Sequence, residues 1–159
     1  TAIFQGDMVM HVTGGGIEIH ADGGTVPIVG VFNGCRFTDP TTGKETFSNF
    51  YPASTAAADI EAFIIDDPMV IFEIQAAIAM PVADLLGNFD VVYTTAGSTV
   101  TGISGAELQV TDGGTSTGLP LKAIDISRDP ENSDVGSAHT NVQVVIVNHV
   151  FGLKGVGLA

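Results

Sequence analysis

Apolar positions in this chain recur mostly at every second residue, in short runs cut by glycine, proline and aspartate. That period belongs to half-buried β-strands. Met8 to Val12 reads as one strand, and Ile17-Glu18-Ile19-His20 alternates cleanly as the next. Gly14-Gly15-Gly16 separates them, and Ala21-Asp22-Gly23-Gly24 supplies the next turn. Short strands spaced by glycine turns belong to a sandwich or a barrel.

The strongest pattern spans residues 29–52 and predicts a long β-hairpin. Val29, Val31, Cys35 and Phe37 form its apolar phase, with Asn33 and Arg36 polar. Asp39-Pro40-Thr41-Thr42-Gly43 is turn chemistry: aspartate bonds its own backbone, proline presets φ and glycine supplies positive φ. The return strand ends at Pro52, which has no N–H for a ladder. Phe37, Phe47, Phe50 and Tyr51 are placed to hold the centre of a small core.

Further strands are expected over 60–66, 69–75, 90–93, 107–110, 119–127 and 139–150. Val31, Phe37, Phe63, Phe72, Val144 and Ile146 carry the apolar phase of the strongest strands and are the expected core. Glu61 and Glu73 mark outward positions. Residues 80–87 are the best helix candidate, with Pro81 at the first helical position and Gly87 just past the end. The expectation is one all-β domain: a small antiparallel β-barrel or sandwich with at most one short helix and long glycine-rich loops. Residues 1–6 read as an extended N-terminal arm, 7–152 as the β domain, and 153–159 as a flexible C-terminal tail.

Composition narrows the function classes. The 159 residues are 45% hydrophobic and 14% charged, which suits a packed core rather than a disordered chain. No apolar run reaches the about 18 residues of a membrane-spanning helix. The first residues carry no basic stretch, so no signal peptide is expected. The net charge of −13 leaves too few bases to build a surface for nucleic acid or anionic membrane. A basic protein surface or cations are the partners that charge favours. Cys35 is alone, so no disulfide can form within the chain.

Candidate chemistry is sparse. Thr42-Gly43-Lys44-Glu45 looks like the end of a phosphate loop, but Thr38 and Glu45 stand where glycine and a hydroxyl residue are needed. Gly14-Gly15-Gly16 lacks the spaced third glycine of a dinucleotide fingerprint. Gly102-Ile103-Ser104-Gly105-Ala106 approaches a nucleophile elbow but ends in alanine within a loop. His11, His20, His139 and His149 are scattered singly; His11 and His20 are placed to meet across a hairpin. Asp129 to Asp134 gathers hard oxygens without the order of a calcium loop. Asp66-Asp67 reads as a β-bulge or a turn cap, and Cys35 as a buried small hydrophobe. No catalytic residue, metal or cofactor is expected.

Three blocks carry a resemblance: VFNGCRFTDPTTGKETFSNFYPAST, AFIIDDPMVIFEIQ and NVQVVIVNHVFG. Together they resemble a family of small head proteins of tailed bacteriophages, the decoration or cement proteins. The likeness runs from about residue 28 to 152, and the chain departs from it over 76–109. It implies a non-enzymatic virion protein made in the host cytoplasm. That protein would bind the phage major capsid protein on the outer surface of the capsid as a homotrimer and strengthen the shell. The alternatives are a carbohydrate- or receptor-binding module of a tail fibre, or another minor head or neck component. In the decoration reading the arm is the anchor, with Ile3 and Phe4 as capsid-binding residues that add to a neighbouring strand; the other reading is an arm packed on its own barrel or frayed.

Overall fold

The computed structural model describes residues 1–20, 23–114 and 118–152. The expected turn at Ala21-Asp22, the middle of the 112–118 tip and the 153–159 tail lie outside the described residues. The fold is all-β. A two-stranded sheet pairs β1 (Ile3–Phe4) with β6 (Phe50–Tyr51). The first large sheet holds β2 (Met8–Val12), β3 (Gly16–Ile19), β4 (Ile28–Thr38) and β5 (Glu45–Ser48), in the order β3-β2-β4-β5, with β7 (Glu61–Ile65) also on β4. The second holds β8 (Phe72–Gln75), β9 (Asn88–Val92), β10 (Glu107–Gly114), β11 (Leu121–Ile126) and β12 (Asn141–Ile146), in the order β10-β9-β11-β12-β8. All these strand pairs are antiparallel, and the sheets form a sandwich without closing into a barrel.

Neighbouring residues on a strand point to opposite faces, so the first sheet serves two cores. Met8 packs into the larger cluster with Phe89, Val91, Leu108, Leu121, Val142 and Val144. Val9, one residue on, packs into the smaller cluster with Ile3, Phe32, Cys35 and Phe37. The second sheet contributes most of the larger core, and β12 alternates as expected, with Val142, Val144 and Ile146 buried.

The hairpin turn uses the predicted chemistry. The Asp39 carboxylate accepts from the Thr41 N–H at 2.8 Å and the Thr42 hydroxyl at 2.9 Å. Gly43 has φ +66°, and its N–H donates to the Asp39 carbonyl. The strand before the turn departs from simple alternation. Register with β7 slips between Phe32 and Cys35, at Asn33-Gly34. Gly34 has φ +123°, and a Cβ there would sit 2.8 Å from the Ser48 carbonyl oxygen. This bulge reverses the phase. Ile28, Gly30 and Phe32 are buried before it, Cys35 and Phe37 after it, and Val31 is only half-buried. A second slip in β11, between Ala123 and Asp125, sets Ile124 out of register in the same way.

Other expectations are corrected. Phe63 is 44% exposed, because β7 turns Ala62 and Ile64 toward the smaller core. The run Ala62-Phe63-Ile64-Ile65 has no polar residue to mark its phase; pairing with the bulged β4 sets it. Phe47 is 68% exposed, since it lies opposite Arg36 on the outer face. Phe72 is half-buried against the larger core. The expected helix reduces to a single 3-10 turn, Val82–Asp84, with Pro81 as its extended cap. Leu86, not Gly87, takes positive φ there.

Two truncations separate the sides of this sheet. Phe37→Ala should cost about 3–5 kcal/mol, because Phe37 is 5% exposed and packs edge-on against Tyr51. Phe63→Ala should cost about 0.5 kcal/mol. Denaturant unfolding of the two variants checks the assignment.

Candidate functional site

The N-terminal stretch does not stand apart as an arm. β1 pairs with β6 in the register Ile3↔Tyr51 and Phe4↔Phe50. Ile3 and Phe4 are 8% and 7% exposed. The Phe4 ring stacks on Phe50 with centroids 5.6 Å apart, and it fills the space a side chain at residue 97 would need. Ile3 and Phe4 are therefore buried in their own domain rather than exposed on a free arm. The reason is local: the Gly6-Asp7 turn, with Gly6 at φ +99°, folds the stretch back.

A buried carboxylate holds it there. Asp7 accepts from the Phe4 N–H at 2.7 Å and from the Ser104 hydroxyl. Ser104 in turn accepts from the Ala106 N–H, so the elbow-like serine serves as a tie between two loops. Burial raises the Asp7 pKa above the ordinary carboxylate value, while its hydrogen bonds from Phe4 and Ser104 pull it down. Gln5 and Ile103 form a parallel bridge beside this tie.

The histidines do not converge. His11 lies opposite Ile17, whereas the His20 N–H donates to the Met8 carbonyl, so the expected pair is out of register. His139 is exposed, with Nδ1 3.3 Å from Glu107 Oε1. His149 is buried, beside Phe151. His20 is fully buried, with Nε2 3.9 Å from Asp90 Oδ1. Asp90 itself accepts from the Gly23 and Val91 N–H groups. Among the described residues neither His20 nitrogen nor the nearby Tyr93 hydroxyl has a partner in good hydrogen-bonding geometry, although the Gly24 backbone lies close to His20. Burial lowers the His20 pKa; Asp90 and the Gly24 backbone oppose it. A general base must reach the proton it abstracts. His20 and Asp90 are only 0% and 1% exposed. Sequence reasoning missed this pair, because Asp90 sits in an apolar strand with no spacing that links it to His20.

The acidic segments are occupied locally. Asp129 accepts from the Glu131 N–H, and Asp134 from the Gly136 N–H and the Ser137 hydroxyl. Asp67 accepts from the Met69 N–H, the turn cap expected of it. Among the described residues no three His, Cys, Asp or Glu side chains are grouped to hold a metal ion. Cys35 is buried, and burial raises its thiol pKa, which keeps it unreactive.

Two outcomes test this description. Phe4→Ala should destabilise the domain by about 3 kcal/mol in denaturant unfolding rather than leave it intact. His20, held neutral by burial, binds a proton more weakly folded than unfolded. Above its ordinary pKa of about 6.5 both states are neutral and it contributes nothing. As pH falls below that value the unfolded chain takes up a proton the folded chain refuses, so stability drops. His149 is also depressed and acts in the same direction, while Asp7, being raised, opposes them nearer the carboxylate range. The loss should amount to about 1.4 kcal/mol per depressed unit. His20→Asn should flatten the stability–pH curve over that window.

The chain matches no protein-family model, no curated protein and no solved structure.

Proposed function

We propose that this chain is a non-enzymatic virion structural protein that binds the outer surface of a tailed-bacteriophage capsid and stabilises it. The observation that carries the reading is the distribution of polar and apolar groups. Asp7, His20 and Asp90 are sealed inside, while Phe63, Ile65, Met69 and Ile71 are exposed along one continuous segment. Such a surface suits a protein that works by being covered. The three blocks that resemble decoration proteins support it too, since they fall on β4 to β8 and β12, the frame of both sheets. With Ile3 and Phe4 buried, attachment passes to the body of the domain. The partner is the major capsid protein, and copies associate as a homotrimer on the shell. Carbohydrate recognition has less support: the Tyr51 hydroxyl donates to the Thr55 carbonyl, and Tyr93 is largely buried.

Purified protein added to capsids that lack it should bind saturably, at a copy number that scales with the shell protein. Decorated heads should survive higher temperatures, because binding only the intact shell stabilises it. No binding, or a few copies at one vertex, would overturn the decoration reading.

A further inference from the structure

β7 is bonded on one side only. It pairs with β4 from Val31↔Ile65 to Arg36↔Glu61, and among the described residues its other edge makes no backbone hydrogen bond. Folded proteins usually protect such edges with lysine, proline or a bulge. β7 reads Glu-Ala-Phe-Ile-Ile; its one charge, Glu61, sits at the end and pairs with Arg36, and its centre carries no charge or proline. The close seat of β7 on β4 is itself built in, since a Cβ at residue 30 would lie 2.2 Å from the Ile65 carbonyl oxygen.

Both faces beside the edge are apolar. Phe63 and Ile65 stand exposed on one face at 44% and 37%. On the other, Ala62 and Ile60 border an open cleft of about 310 Å³, lined also by Ile17, Phe32, Cys35 and Tyr51. An added strand projects alternate side chains to the two faces, so one set would meet Phe63 and Ile65 and the other would enter this cleft.

Charge sets the ends. Beyond the C-terminal end, Asp66 and Asp67 are exposed and make no ion pair among the described residues. At the other end Glu45, Asp59 and Glu61 surround one base, Arg36, which bonds Glu61 at 2.8 Å and also pairs with Glu45. Two copies joined through β7 would set carboxylates against carboxylates in either orientation.

We propose that the open edge of β7, with the cleft beside it, binds an extended peptide segment with an apolar, β-branched centre and Lys or Arg at both ends. The segment adds as a strand, its backbone bonds to β7, its centre fills the cleft and its ends meet the carboxylates. The ligand chemistry stands on this geometry alone, whichever particle the protein belongs to.

The test is a titration of the isotope-labelled full chain with the synthetic peptide Lys-Lys-Val-Ile-Val-Thr-Val-Lys-Lys, read by NMR and amide hydrogen exchange. Binding should protect amides of residues 61–65, weaken with added salt, and fall about tenfold when the peptide ends are Glu or when Asp66→Lys is introduced. Backbone N-methylation on alternate peptide residues should abolish it. Equal binding of the Glu-ended peptide, or protection elsewhere, would overturn the assignment. So would edge amides already protected in the free chain, whether by contacts from residues 153–159 or by self-association.

Discussion

The fold depends on the backbone of β4 more than on any side-chain contact. Its eleven residues, Ile28–Thr38, carry β2 and then β5 along one edge and β7 along the other. A straight strand with strict alternation could not turn both Phe32 and Cys35 toward the smaller core. The bulge at Asn33-Gly34 solves this by reversing the phase between Phe32 and Cys35. Only glycine suits the backbone there, because positive φ coincides with close approach to Ser48. Phe32 before that step and Cys35 and Phe37 after it all pack on the smaller core.

The polar groups inside the sandwich act as ties rather than as a site. Asp7 joins the N-terminal strand to the loop at Ser104, and Asp90 gathers the N–H groups of Gly23 and Val91 beside His20. A buried polar group without a partner is costly, and among the described residues His20 has none in good hydrogen-bonding geometry. The protein keeps it by holding the imidazole neutral. These groups therefore fix how the elements meet, while the surface left to partners is largely apolar side chains and carboxylates.

Much of the architecture was legible in the alternation. The hairpin, its Asp39 turn, the Val142-Val144-Ile146 phase, the outward Glu61 and Glu73, and the all-β class follow from local chemistry. The errors share one cause. Phe63 and Phe47 were misplaced because facing depends on bulges and cross-strand registers, which involve residues far apart in sequence. The sequence leaves the Ile3-Phe4 arm open between an anchor and a packed strand for a related reason: two apolar residues look the same whether their partner is a foreign strand or β6. The His20–Asp90 pair was invisible, since nothing in a linear sequence brings residues 20 and 90 together. The open edge of β7 was likewise unreadable, because the absence of a neighbour is a property of topology alone.

The long reach of these ties governs how the chain must fold. Ser104 bonds Asp7 across 97 positions, and Asn148 bonds the Thr25 carbonyl across 123. Contacts of such separation must overcome large loop-closure entropy before they are rewarded, which slows folding. During synthesis the seam around Ile28 stays open until Asn148 and His149 have emerged, since both close on that region. The apolar run Ala62-Phe63-Ile64-Ile65 of β7 is flanked by Glu61, Asp66, Asp67 and Pro68, which oppose its pairing with other chains in that interval. The net charge of −13 then keeps unfinished chains apart by Coulomb repulsion, so the acidity of the surface protects folding as well as shaping the choice of partner.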